Sequence, residues 1–262
     1  MVEIRKIETI TDFAPKRVKK YLFIWCNEGN ISIEVDNKFL TLTKNQVLTI
    51  TSGQYHCFKK TNNGKGYLLD FTLDYICKTE KDIELIFQNS LFCHFDYNEI
   101  ITINNPNEVE QQLQKIEEEL HLKPFQYLES VHSRIELLLF EVNRSKIANG
   151  GEVWKPDALF LQFLEFVRNN FEHNYPLKEI ASRLHTTELK LNEQAKQHAG
   201  KTAQNVIFGL VISEAKRKLQ YEEKSIKELA FELGFKDQYY FSKFFKNNTD
   251  MSPSEFQKEP SS

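Results

Sequence analysis

The C-terminal half of this 262-residue chain repeats itself. Leu177-Lys-Glu-Ile-Ala-Ser-Arg-Leu184 aligns with Ile226-Lys-Glu-Leu-Ala-Phe-Glu-Leu233 at an offset of 49, and six of the eight positions are identical or near-isosteric. One residue is then inserted and the offset becomes 50. Leu191 now aligns with Phe241, Lys196 with Lys246, and Thr202 with Ser252. Each unit reads as a short amphipathic helix, a turn and a second amphipathic helix, which is the helix-turn-helix pattern. A chain built this way must bury two such helix pairs.

The second unit has the cleaner punctuation. Gly234 follows Leu233 where a left-handed C-cap is expected, and Asp237 stands at the N-cap of the next helix. On that helix Tyr240, Phe241, Phe244 and Phe245 recur at three and four and are expected to face inward. Gln238, Tyr239, Ser242, Lys243 and Lys246 are left outward, a row of hydrogen-bonding and basic groups suited to base edges and phosphates. A solvated helix face has the same composition, so the row alone decides nothing. Spacing adds to it. Thr202 to Tyr221 reads as one helix with Thr202 as N-cap, and twenty residues span roughly 30 Å, close to the ~34 Å turn of B-DNA.

The first 75 residues read as strands: 21–26, 31–35, 38–42, 47–50, 55–58 and 67–71, separated by Asn27-Glu28-Gly29-Asn30, Asp36-Asn37, Ser52-Gly53 and Asn62-Asn63-Gly64. Short strands with tight turns predict a small barrel or sandwich. From about Asn107 the period changes. Val109, Leu113, Ile116 and Leu120 mark one helix, Pro124 ends it, and Leu128, Val131, Ile135, Leu138 and Val142 mark a second. That second stripe packs either on the barrel or on an identical partner, and it is expected to form a homodimer interface. Ala148-Asn149-Gly150-Gly151 holds the only Gly-Gly, so the expected division is a domain over 1–148, a linker over 149–156 and a helical domain over 157–262. The expected fold class is therefore α+β in two domains.

Charge and cysteine content narrow the classes. Net charge is −3 overall, with residues 1–154 at −4 and residues 155–262 at +1, so charge neither announces nor excludes a nucleic-acid partner. No apolar run approaches the ~18 residues of a membrane span, and the six residues from Tyr21 to Cys26 are too few for a secretory core. The expected location is cytoplasmic. Cys26, Cys57, Cys77 and Cys93 lack metal or redox spacing and read as small buried hydrophobes.

The segment from Ser225 through Lys246 (Ser-Ile-Lys-Glu-Leu-Ala-Phe-Glu-Leu-Gly-Phe-Lys-Asp-Gln-Tyr-Tyr-Phe-Ser-Lys-Phe-Phe-Lys), followed by Met251-Ser-Pro-Ser254, resembles the signature of the AraC/XylS family of bacterial transcription regulators. Glu214-Ala-Lys-Arg-Lys-Leu219 and Gly200-Lys-Thr202 match it too, and the likeness covers roughly residues 160–258. It implies a seven-helix module with two helix-turn-helix units, double-stranded promoter DNA and RNA polymerase as partners, and activation as the default. Gly53-Gln54-Tyr55-His56 and Gly66-Tyr-Leu-Leu-Asp-Phe71 are similar to the cupin-like sensor domains of that family, which implies a small-molecule effector.

The first unit departs from the family pattern. His185 replaces the turn glycine, Gln194 and Ala195 stand where Phe244 and Phe245 stand, and Glu188 and Glu193 bring acids to the face expected to approach DNA. Lys190, Asn192 and Lys196 remain its candidate contacts. By strand position, Trp25, Tyr55, His56 and Phe71 are the candidate effector contacts. The rival class is a cupin metal enzyme, which needs several histidines and a carboxylate; the barrel region offers His56, with His94 beyond the strands. No cysteine has the activating context of an alkyl-transfer repair domain. No catalytic residue, metal or cofactor is expected. A non-sensing dimeric scaffold is the third possibility.

Overall fold

A computed structural model describes residues 2–11, 13–59, 63–78, 80–87, 89, 91–92, 98–151 and 157–258. Asn62, Cys93, His94 and positions 152–156 of the expected linker lie outside the described residues. The chain forms two compact units, Met1–Lys155 and Pro156–Ser262.

Among its described residues, the first unit contains the six expected strands and three more. In order they are β1 (Val2–Lys6), β2 (Lys16–Arg17), β3 (Tyr21–Glu28), β4 (Asn30–Val35), β5 (Lys38–Thr43), β6 (Gln46–Ile50), β7 (Tyr55–Phe58), β8 (Lys65–Phe71) and β9 (Ile100–Thr102). They form a five-stranded sheet, β1-β8-β3-β6-β9, and a four-stranded sheet, β2-β7-β4-β5. All pairings are antiparallel. Asp36 and Asn37 both have positive φ, 43° and 64°, as a two-residue hairpin turn requires.

Strand parity fixes the layers. Leu22, Ile24 and Cys26 of β3 join Ile31, Ile33 and Val35 of β4, with Leu48, Ile50, Phe58 and Leu68, in one apolar core. Their neighbours Tyr21, Phe23 and Trp25 therefore project from the opposite face of the five-stranded sheet. There the Tyr21 ring meets Phe71, Phe87 and Phe92 at centroid distances of 6.2, 5.7 and 5.3 Å.

Among its described residues, four α-helices complete this unit: α1 (Leu73–Ile76), α2 (Glu80–Phe87), α3 (Pro106–Leu122) and α4 (Tyr127–Ala148). Pro106 opens α3 at a position where its missing N–H costs nothing. The stripe expected to meet a partner chain does not do so. Val131, Ile135, Leu138 and Val142 are at most 1 % exposed within the single chain, while Leu128 is 40 % exposed. The stripe is already consumed by the chain's own core, so an aspartate at Ile135 would bury an unpaired charge there and not at an interface. Besides Leu128, the exposed large apolar residues of α4 are Leu137, Phe140 and Ile147, on the other side.

The second unit has seven α-helices among its described residues: α5 (Ala158–Arg168), α6 (Leu177–Arg183), α7 (Glu188–Ala199), α8 (Ala203–Tyr221), α9 (Ile226–Glu232), α10 (Gln238–Thr249) and α11 (Pro253–Lys258). Sequence chemistry sets their ends. Asp157, Thr187, Thr202, Ser225 and Asp237 each accept a backbone N–H from the first turn they precede. Ser225 and Glu228 close a reciprocal capping box.

The repeat is visible in hydrogen bonds. Leu184 N–H bonds Ile180, His185 N–H bonds Ser182 and Thr186 N–H bonds Ala181; 49 residues later Leu233, Gly234 and Phe235 bond Leu229, Phe231 and Ala230. The next caps, Thr187 and Asp237, are 50 apart, so Lys236 is the inserted residue. Both turns need one left-handed residue, His185 at φ 52° and Gly234 at φ 73°. At Gly234 a Cβ would also lie 2.7–2.8 Å from Asn174 and the Glu172 carbonyl.

Gly234→Ala should therefore cost more than Gly200→Ala. Gly200 is also left-handed but faces open space, so only the ~1–2 kcal/mol backbone penalty applies there. Hydrogen exchange of α9 and α10 in the full chain should accelerate markedly in the first variant. Equal exchange in the two would show that the close approach to the 172–174 turn carries no strain.

Candidate nucleic-acid interface

Helix α10 is held by its apolar side. Phe241 and Phe245 are fully buried with Ile212, Ala215 and Leu219 of α8 and Leu229, Ala230 and Leu233 of α9. Phe235, Phe244 and Phe256 pack around them, with ring centroids 5.2–5.9 Å apart. This aromatic wedge fixes the rotation of α10 and so fixes what faces outward. Gln238, Tyr239, Lys243 and Lys246 are exposed and Ser242 is half-buried. Neither lysine enters an ion pair among the described residues.

Tyr240 corrects one expectation. It is 61 % exposed, not inward, and its ring meets Tyr239 edge-on at 5.9 Å. It directly precedes Phe241, and adjacent helix positions are separated by about 100°. Tyr240 thus joins the outward surface.

The first recognition helix, α7, is seated differently. Leu191, Gln194 and Ala195 are buried, and the Gln194 side-chain oxygen has no protein partner. Helix α5 packs beside α7, and its Phe160 ring lies 5.3 Å from that of His198. His198 also accepts the Asp157 backbone N–H at 3.3 Å, and burial holds its pKa below the usual value. Lys190, Glu188, Glu193 and Lys196 are exposed. Lys190 Nζ lies 3.8 Å from Glu193, so its charge is partly met within the helix.

Asn192 is the second correction. Its side-chain nitrogen donates to the Glu188 carbonyl at 3.0 Å, and its oxygen accepts the Ala203 N–H at 3.0 Å. The carboxamide ties α7 to the first turn of α8 and is not presented to a base.

Helix α8 carries both recognition helices. Its 19 residues correspond to about 28 Å. Ala203, Val206, Ile207 and Leu210 are buried along its first half, and Ile212, Ala215 and Leu219 along its second. At the far end Lys218 and Lys224 each pair with both Glu222 and Glu232 at 2.6–3.6 Å, tying α8 to α9. These pairs hold the Glu232 carboxyl below its usual range despite its burial.

The proposed effector contacts do not converge. Trp25 and Phe71 are buried on the helix-covered face of the five-stranded sheet, whereas Tyr55 and His56 lie on β7 in the other sheet. One pocket cannot collect both pairs. None of the four lines the cavity of about 260 Å³ beside the sandwich, whose walls include Ile7, Ile10, Phe13, Ile31, Phe58 and Lys59. Nor do they line the open groove of about 560 Å³ between β1 and the α3–α4 connection. Among the described residues one His/Cys/Asp/Glu group converges, Asp82 with His132 and Glu136, and it includes no residue of the sandwich.

These features define the class of the second unit: two helix-turn-helix pairs on a shared central helix, the architecture of a DNA-binding module. Residues 180–259 match the helix-turn-helix domain family. The HTH-type transcriptional activator RhaS of Mannheimia succiniciproducens is 32 % identical over 130 residues, 48 % of each chain. The xylose operon regulatory protein of Haemophilus influenzae is 32 % identical over 100 residues, 38 % of this chain and 26 % of that protein. The chain thus spans about half the length, or less, of these curated relatives. ToxT of Vibrio cholerae O395 aligns over 98 % of this chain and 96 % of its own at 14 % identity and a TM-score of 0.44. The C-terminal unit thus carries a helix-turn-helix domain. No helix among the described residues is long and apolar enough to cross a membrane.

His56 allows a test of the first unit. It is 2 % exposed, and burial pushes its pKa down to about 4 from 6.5. The unfolded chain therefore binds the proton more readily, and stability falls as pH drops from about 6.5 to about 4. The loss attributable to this residue should be about 3 kcal/mol, scaled from 1.36 kcal/mol per pKa unit. Unfolding followed through Trp25 should show this extra acid loss in the parent and not in His56→Gln. Parallel pH curves would show that His56 is hydrated.

Proposed function

We propose that the chain is a sequence-specific DNA-binding transcription regulator and not an enzyme, and that α10 supplies its dominant DNA contact. The observation that carries this reading is the outward row Gln238, Tyr239, Tyr240, Ser242, Lys243 and Lys246, set on a helix whose opposite face is locked by Phe241 and Phe245. Lys243 reads or positions one major groove, with Gln238 and Ser242 beside it, and Lys246 lies nearer phosphate. The first helix contributes less because Glu188 and Glu193 oppose phosphate and Asn192 is engaged internally.

The names of the relatives support activation as the direction of control, and a cytoplasmic location with RNA polymerase as partner belongs to the same proposal. A small-molecule effector fits the first unit best in the cavity at Ile7, Phe13 and Phe58. Homodimerisation is supported by exposed Leu137, Phe140 and Ile147 on α4, not by its buried stripe.

The slope of log affinity against log salt discriminates the two units. Lys246→Ala should weaken binding and flatten the slope by about one unit, and Lys196→Ala should do less. Glu193→Ala should strengthen nonspecific binding by removing repulsion. Equal losses from both lysines would mean that the first unit docks as an equal partner, and unchanged affinity in every variant would remove the assigned surface.

A further inference from the structure

His132 and Glu136 stand four residues apart on α4, so their side chains share one face of that helix. His132 Nδ1 lies 3.7 Å from Glu136 Oε2. Asp82, brought from α2, completes a group whose three ligand atoms all lie within 4.8 Å of one another. Asp82 also accepts the Lys78 backbone N–H at 2.8 Å, which holds its carboxylate at the start of α2.

The tautomer of His132 is set from behind. Its Nε2 lies 2.7 Å from the carbonyl oxygen of Ile76, and a carbonyl only accepts. Nε2 therefore carries the proton, and in the neutral ring Nδ1 presents a lone pair toward two carboxylates. Three ligand atoms thus converge beside a histidine only 9 % exposed, an arrangement that a bound cation would neutralise. An imidazole anchored by a backbone carbonyl and aimed at two carboxylates is the donor arrangement that divalent metals use. The Tyr75 ring, edge-on at 6.2 Å, walls the imidazole on one side.

We propose that Asp82, His132 and Glu136 bind a divalent ion of the zinc class and clamp α2 onto α4. Zinc takes nitrogen at about 2.0–2.1 Å and carboxylate oxygen at about 2.0–2.2 Å, so tetrahedral ligands stand roughly 3.4 Å apart. The His132–Glu136 separation already approaches that value. One imidazole nitrogen and two carboxylate oxygens are donors that zinc accepts. Three protein donors leave a fourth position for water or another ligand.

The test uses the full chain after chelator treatment, titrated with Zn²⁺ alone. One equivalent should bind, raise the melting temperature and slow hydrogen exchange in α2 and α4. Asp82→Asn and Glu136→Gln keep side-chain size and should each weaken binding by about 10- to 100-fold, while melting like the parent in chelator. The His132 Nδ1 nitrogen resonance of the parent should shift on metal addition. A resonance that stays put overturns the site whatever the variants do, as does zinc uptake equally tight in parent and variants.

Discussion

Helix α8 is the constraint on which the second unit depends. One face of a single helix must serve two cores, with Val206, Ile207 and Leu210 buried in its first half and Ile212, Ala215 and Leu219 in its second. A continuous helix transmits a fixed rise and rotation per residue, so two bodies packed on it cannot slide or turn independently. The capping oxygen of Thr202 at one end and the Lys218–Lys224–Glu222–Glu232 network at the other define where that rigid segment starts and stops. The DNA reading follows from this rigidity, because a spacing is informative only if it is held.

The two helix pairs use the same backbone hydrogen bonds and different side-chain fillings. Phe241, Phe244 and Phe245 wedge α10 between α8 and α9, leaving its polar row clear of acids beyond the capping Asp237. In α7, Gln194 and Ala195 fill the corresponding buried positions, and Asn192 is engaged by α8. On the reading proposed above, equal backbone geometry with unequal charge makes them unequal partners for a polyanion. In the first unit strand parity plays the comparable role: a two-residue period sends Leu22, Ile24 and Cys26 into the core between the sheets, and Tyr21, Phe23 and Trp25 to the far side.

Much of this architecture was legible in the sequence because local chemistry specified it. The 49-to-50 change of offset announced one inserted residue, which the turn hydrogen bonds and caps place at Lys236, and the turn residues between 27 and 53 delimited five of the six expected strands. What escaped depends on distant partners or on very short segments. β2 has two residues and β9 three, too few for a period to register. The apolar stripe of α4 announces burial but not against what, so the pattern alone does not show that Ile135 is covered by its own chain. Asn192 has the composition of a base reader, and only the approach of Ala203 N–H shows it engaged. Asp82 lies 50 residues from His132, beyond any motif spacing. Trp25 and His56 were grouped by strand position, and the division of β3 and β7 between two sheets separates them.

The most direct measurement is hydroxyl-radical and methylation-interference footprinting of the full chain on a bound operator. Recognition helices held on a strut of about 28 Å should protect two successive major grooves, roughly one helical turn apart and on the same side of the duplex. The groove met by α10 should be the more strongly protected, and Lys243→Ala should erase that patch alone. Protection on opposite sides of the duplex, or a single groove unaffected by Lys243→Ala, would contradict the account.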